Sequence, residues 1–478
     1  MIVYKFGGAL ARTKRGMDAL VRLTQEAYRK ELARAKRQKT SVTTHGLVLV
    51  VSAIGHTTRH LSRAAELAER GELSEAEQAL DRSLSQHEML AGQLGILDTV
   101  ADSFYTITTE VRSLLEGIAI VRELSPRTRD AVLAAGEELA AALIVALLEV
   151  QELPVRFVDA RHLIVTDESH GNAAALAEET EHNVRQRVLP RLHRHDIVLT
   201  QGFVGATRDG ITTTMGAESS DLTATLLAGA LAASEVVIWK SLPGLYTADP
   251  ELVPTARLIR SLSFDEAEEL GRRGARILYP SFAHPLLSAE AKTLLRIATP
   301  FGKAGRHTML QRTIQSSRNA TSQKALALAV RQRLILLRMR PLSEADITWL
   351  GNILPKNPGR PTGGKRQSSS VTPVIQWSTP LEHFVLIQKE DRAAFVREVE
   401  AAKMEVIGSE RAVAVISLIL RKPAEEAADP RFAAALGRSL RAFHTHALLP
   451  VEQSVVAIVD EAGAVAGLKK AHHDLIEV

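Results

Sequence analysis

The chain has no cysteine among its 478 residues. That absence excludes disulfides and thiolate metal sites and says little about compartment. Charge imbalance is slight: 59 Lys and Arg against 55 Asp and Glu leave a net charge of +4. The excess is scattered, and no basic stripe is flanked by aromatics, so nucleic acid is not expected as a partner. Long apolar runs are missing as well. No stretch reaches 18 residues free of charge, so no membrane span is expected. The first eight residues, Met1-Ile2-Val3-Tyr4-Lys5-Phe6-Gly7-Gly8, read as a strand entering a turn and not as a signal peptide, which makes the cytoplasm the expected location. What is present is average for a globular protein, 45% apolar and 24% charged, over a length that suits about two to four domains.

Residues 196–250 organise the rest. The apolar strand Ile197-Val198-Leu199 reaches a loop at Gln201-Gly202-Phe203-Val204-Gly205, and the hydroxyl-rich run Thr212-Thr213-Thr214-Met215-Gly216 follows. Ser219-Ser220-Asp221 then stands before an apolar-periodic segment, 222–231. Ser and Asp in that place are N-cap residues, because their oxygens accept the free amide hydrogens of the first turn. The partial positive charge of a helix N-terminus suits a phosphate. A second strand, Val236-Val237-Ile238-Trp239, runs into Leu242-Pro243-Gly244-Leu245-Tyr246-Thr247-Ala248-Asp249-Pro250. Strand, loop, helix and strand make a βαβ unit with its loops at one edge, where open α/β sheets bind ligands. A purely structural βαβ unit with ordinary caps reads the same way.

Elsewhere the first 300 residues alternate strand and helix, which predicts one α/β domain on a mainly parallel sheet. Residues 2–6 form a strand closed by Gly7-Gly8, where the backbone can approach a ligand and where Lys5 stands at the mouth. A helix is expected over 13–39. The near-continuous apolar run 46–51 marks a central strand and ends in the small-residue loop Ser52-Ala53-Ile54-Gly55-His56-Thr57-Thr58. Helices follow over 59–123 and 131–148, then a strand over 155–160 and a polar loop over 166–172. Beyond residue 300 the texture changes. Strands are expected over 334–337, 383–387, 412–419 and 454–459, and helices over 343–350, 392–401, 430–444 and 465–475. The Pro/Gly/Ser-rich stretch 355–373 reads as a mobile insertion. This is the rhythm of two small β-α-β-β-α-β modules.

Several ordered motifs now point to a family. Lys5-Phe6-Gly7-Gly8, Val51-Ser52-Ala53 with Thr57-Thr58, Gly136-Glu137, Gln201-Gly202-Phe203 with 212–216 and Ser220-Asp221, the Gly244-Leu245-Tyr246-Thr247-Ala248-Asp249-Pro250 run and Gly274-Ala275-Arg276 follow one another in the chain. Together they resemble the aspartate kinases, of the amino-acid kinase fold, over essentially the full length. The resemblance implies an α/β catalytic domain over 1–310, a mainly parallel sheet sandwiched by helices. Two ferredoxin-like ACT modules, over 320–402 and 403–478, would follow it and bind a regulatory amino acid such as lysine or threonine. It implies transfer of the γ-phosphoryl of ATP to the side-chain carboxylate of L-aspartate, with Mg2+ carried by the nucleotide and no metal held by the protein itself. Lys5 and Asp221 would be catalytic. Ser52, Thr57, Glu137 and Ser220 would hold aspartate, and Gly7, Gly8, Lys240, Ser241, Tyr246 and Arg276 would face ATP. A homodimer or larger homo-oligomer is expected.

The chain also departs from the family pattern. Ala217 stands where the family has an Arg that grips a substrate carboxylate, Glu218 where it has Gly, Lys240-Ser241 where it has Thr-Asp, and Glu251 where it has Arg. These changes leave the site about two charges more negative than the pattern. A carboxylate about 4 Å from a phosphate costs up to roughly 4 kcal/mol at an effective dielectric near 20. Three readings stay open: a working aspartate kinase with Lys240 as a substitute cation, a silent regulatory paralogue, and a kinase of another small acid.

Overall fold

The computed structural model describes residues 1–37, 45–274, 282–288, 293–301, 305–312, 324–340, 375–378, 382–401, 404–407, 411–421, 430–451 and 454–477. The chain divides into two compact units. The first comprises residues 1–244 and 281–312, the second 245–280 and 313–478.

The first unit runs β1 (Ile2–Phe6), α1 (Gly8–Ala11), α2 (Lys14–Arg37), β2 (Leu47–Val51), α3 (Thr57–Glu69), α4 (Leu73–Leu94), α5 (Leu97–Val121) and α6 (Pro126–Val150). It continues with β3 (Val155–Phe157), α7 (Ala177–His193), β4 (Ile197–Gln201), β5 (Val204–Ala206), β6 (Thr212–Thr214), α8 (Ser220–Ala230) and β7 (Glu235–Trp239). β8 (Ser261–Ser263) and α9 (Phe264–Arg272) belong to the second unit, and α10 (His284–Ser288), β9 (Leu294–Ala298) and β10 (His307–Gln311) close the first.

β1, β2 and β4 are buried at every position, as strands covered on both faces must be. The strand order is β3-β4-β2-β1-β7-β9-β10, parallel except where β10 turns back on β9. The chain leaves β1 towards β2 and leaves β7 towards β9, so outgoing connections diverge between β1 and β7. Such a switch point opens a crevice at the carboxyl ends of the two strands.

Several elements differ from the sequence expectation. The helix expected over 13–39 is α2, Lys14–Arg37, and a short helix that the sequence did not announce, α1, precedes it at Gly8–Ala11. The hydroxyl-rich run is a strand, β6, paired antiparallel with β5 in a hairpin. Ser219 occupies the cap of α8, but its side chain makes no capping bond. α6 starts at Pro126, five residues before the expected 131, because the Ser125 side chain accepts from Thr128 N and Pro126 needs no amide partner at the first position. α6 is long and apolar enough to cross a membrane, yet it packs on β2, β3 and β4 and lines the main core.

The second unit carries one six-stranded antiparallel sheet. Its strands are β11 (Lys324–Met339), β12 (Ile375–Ser378), β13 (His383–Gln388), β14 (Arg411–Arg421), β15 (Thr445–Val451) and β16 (Ser454–Asp460), in the order β12-β13-β11-β14-β16-β15. Helices Arg392–Ala401, Pro430–Ser439 and Ala464–His472 accompany it. The helix expected over 430–444 stops at Ser439, and β15 follows unannounced. Pro450 masks it in the sequence; proline lacks a ladder donor and is tolerated at the sheet edge that β15 forms. Residues 343–350, 355–373 and Arg276 lie outside the described residues.

Candidate active site

Lys5 is the penultimate residue of β1, between Val50 of β2 and Ile238 of β7. Alternation along the strand turns its side chain to one face of the sheet, and α8 packs on β1. The Lys5 ammonium meets Asp221, in the first turn of α8, at 2.8 Å from Oδ1. Lys240, one residue past β7, places Nζ 2.8 Å from Oδ2 of the same carboxylate. One fully buried carboxylate thus stands between two ammonium groups, of which Lys5 is 6% exposed. Burial pushes the Asp221 carboxyl up, but Lys240 and Lys5 outweigh it and hold the group below its ordinary range. Burial pulls the Lys5 ammonium down, and Asp221 works against that pull. The cluster carries a net charge of +1 at the carboxyl edge of the sheet.

Gly7 and Gly8 follow. Gly7 N donates to Trp239 O at 3.1 Å, joining the ends of β1 and β7. A Cβ on Gly8 would lie 1.9 Å from Ala53 O, so only glycine lets the 53–55 loop close over this turn. Gly202 meets the same demand beside α8, where a Cβ would lie 2.4 Å from that of Ser220.

Glu137 is brought to the loop after β2 by α6. It is 3% exposed, its Oε1 accepts from Ala53 N at 3.2 Å, and Oε2 has no hydrogen-bond partner among the described residues. Burial pushes its carboxyl up to about 8. Ser52 Oγ and Ser219 Oγ are likewise buried without a partner among the described residues. Unpaired buried oxygens and an unpaired carboxylate oxygen are costly unless a polar ligand completes them. Thr57 is fully buried at the start of α3, and its hydroxyl donates to Ile54 O at 2.7 Å, closing the turn.

Ser241 is exposed, and its carbonyl accepts from Thr299 Oγ1 at 3.1 Å. Tyr246 belongs to the second unit, where it bridges to Leu258. Glu251 is there too, its amide donating to Asp249 Oδ1 at 2.9 Å. Ala217 and Glu218 are exposed in the turn before α8, and Glu218 holds a left-handed φ of 64°, a conformation that suits glycine. Its carboxylate acts on Lys5 across the turn.

Sequence reasoning missed Asp130. Fully buried on α6, it accepts from Thr214 Oγ1 at 2.6 Å, from Thr214 N at 3.1 Å and from Gly171 N at 3.0 Å, and pairs with His170 Nδ1 at 2.9 Å. It ties the 166–172 loop and β6 to the helix that carries Glu137. The available signal was an acid seven residues before Glu137, a spacing that puts the two on one face of an apolar helix.

The sequence and the fold are similar to those of known proteins. The profile of the amino acid kinase family matches residues 1–296. Lysine-sensitive aspartokinase 3 of Escherichia coli strain K12 is 37% identical over 193 residues, 38% of this chain and 42% of that protein. The chain's matches span less than half the length of this and two further curated aspartokinases. The crystal structure of E. coli aspartokinase III in complex with aspartate and ADP superposes with a TM-score of 0.80 at 22% identity, covering 99% of each chain. The form in complex with lysine and aspartate gives 0.71 at 22% identity, covering 100% of this chain and 99% of that one. At that identity the likeness is one of fold.

Proposed function

The chain belongs to the amino acid kinase family, and from that premise we propose that it transfers the γ-phosphoryl of ATP to the side-chain carboxylate of L-aspartate, giving 4-phospho-L-aspartate. The observation that carries this reading is the Asp221 carboxylate held between Lys5 and Lys240 at the switch point of the parallel sheet. The acceptor is an ionised carboxylate, so no proton has to be removed and no general base is needed. One oxygen of aspartate bonds to the γ-phosphorus as the bond from phosphorus to the ADP oxygen breaks. Negative charge shifts onto the transferred group and the leaving ADP, and catalysis rests on positioning and cations. Lys5, fixed by Asp221, meets the phosphoryl; Gly7 and Gly8 bring backbone to it; Lys240 supplies the second cation.

The ammonium of aspartate pairs with Glu137, whose Oε2 awaits a donor, and Ser52 and Ser220 contact the rest of the acid. Mg2+ arrives with the nucleotide. Both oxygens of Asp221 already face lysines, which fits an ion held by phosphates and not by this carboxylate. Ser241 is assigned to the nucleotide; for Tyr246 and Arg276 that assignment rests on the sequence motifs alone. The second unit is proposed to bind an amino-acid effector, by analogy with the lysine complex of E. coli aspartokinase III, in a cytoplasmic homodimer.

The test is ADP release with aspartate against a panel of small acids, with hydroxylamine trapping of the acyl phosphate. Turnover confined to aspartate supports the reading. A second reading, a paralogue with little transfer, is favoured by the exposed carboxylate of Glu218 in the turn before α8, and no turnover with any acid would select it.

A further inference from the structure

The second unit holds a cluster that the phosphoryl-transfer reading leaves unused. His444 immediately precedes the edge strand β15, His446 is the second residue of that strand, and Asp460 ends the neighbouring strand β16. The two imidazole centroids are 4.8 Å apart. The register explains why they converge on Asp460. Thr445 pairs with Val459 and Ala447 with Ile458, so His446 is the extra residue of a β-bulge. A bulge bends the strand and re-aims a side chain. His446 Nε2 here reaches Asp460 Oδ1 at 2.6 Å. Asp460 N donates to His444 O at 3.1 Å, which fixes the third residue against the same place.

We propose that His444, His446 and Asp460 bind a divalent transition-metal ion of the zinc class. One ligand atom from each of the three lies within 4.8 Å of the others. Bonds of about 2.0–2.2 Å in tetrahedral geometry need donors roughly 3.4 Å apart, a closure within the reach of side-chain rotation at an accessible edge. Two imidazoles and one carboxylate suit zinc, cobalt or nickel and not magnesium or calcium, which prefer oxygen. Three protein ligands leave a fourth position for water or an external donor. The ion would clamp the start of the edge strand β15 to the end of β16. This site stands apart from the kinase reading and survives its failure.

The experiment uses the full chain without a histidine tag, stripped with chelator and titrated with Co2+ and then Zn2+. The expected result is one equivalent of cobalt with the intense visible band of a tetrahedral site, displaced by zinc. His446→Ala and Asp460→Asn each weaken binding at least tenfold, while His473→Ala, at an exposed imidazole of the same unit, leaves it unchanged. Circular dichroism and thermal melting of the three metal-free variants verify folding. Absence of saturable binding, or equal binding in the His446 and Asp460 variants, would overturn the proposal and leave an imidazole–carboxylate pair as the whole of the cluster.

Discussion

Lys240 reaches back from the end of β7 to set its Nζ 2.8 Å from Asp221 Oδ2, completing from the second side a carboxylate that Lys5 already holds from the first. Two strands separated in sequence by more than two hundred residues thus deliver cations to one acid. A lone buried carboxylate beside a lone buried lysine would be neutral, with nothing left over to attract a phosphate. The second lysine supplies the excess charge.

The two lysines should therefore separate in mutants. Lys5→Ala removes the cation at the reacting phosphoryl and should lower kcat by about a thousandfold or more. Lys240→Ala should lower kcat/KM by about 10–100-fold, roughly 1.4–2.7 kcal/mol, and raise the KM for ATP more than that for aspartate. Steady-state kinetics on both variants decide this; equal, small effects would remove Lys240 from the nucleotide side.

Glu137 makes stability depend on pH in a direction unusual for a carboxylate. Its folded value of about 8 lies above the ordinary 4.5. Between those values the unfolded chain has released a proton that the folded chain retains. Stability is therefore highest below about pH 4.5 as far as this group is concerned, and falls by at most about 1.4 kcal/mol per pH unit up to about 8. Glu137→Gln should flatten that slope in denaturant titrations. Aspartate binding near pH 7 should release close to one proton as the substrate ammonium ionises Glu137, seen as a buffer-dependent enthalpy in calorimetry and absent in the Gln variant.

Glu218→Gly should act twice. Glycine adopts the left-handed conformation freely, which recovers about 1 kcal/mol of strain, and removal of the carboxylate should tighten ATP binding. Thermal melting and nucleotide titration read the two effects separately. Ala217→Arg should instead lower the KM for aspartate with little change for ATP, since a bidentate guanidinium–carboxylate contact belongs to the acid. If neither constant moves in either variant, this turn does not face the ligands.

Asp130→Asn keeps the shape but replaces an acceptor oxygen with a donor facing Thr214, Gly171 and His170. A buried unpaired donor costs about 1–3 kcal/mol, so the variant should be destabilised by that order. The KM for aspartate should also rise, because the 166–172 loop and β6 lose their tie to α6. A variant as stable as the parent, with unchanged kinetics, would refute the tie.

Much of the first unit was legible because its signals are local. Apolar runs such as 47–51 and 197–199 state central strands outright, and Gly7-Gly8 after a strand states a close backbone approach that the Ala53 carbonyl then makes. Asp130 was not legible, since an acid near the start of a helix looks like a solvated residue until Thr214, Gly171 and His170 are found around it. The hairpin of β5 and β6 was hidden because three-residue strands carry too few residues for a period to show. β15 was hidden by Pro450, which argues against a strand unless the strand is known to lie at an edge.

The sequence by itself determined the parallel sheet, the glycine turns, the lysine at the end of β1 and the kinship those motifs declare, because each depends on residues within a few positions of one another. Only the tertiary structure decided that Lys240 shares Asp221 with Lys5, that Glu137 is buried with one oxygen unpaired, and that His444 and His446 converge on Asp460. Those relationships depend on strand order, register and burial, and such quantities are set when distant segments pack together.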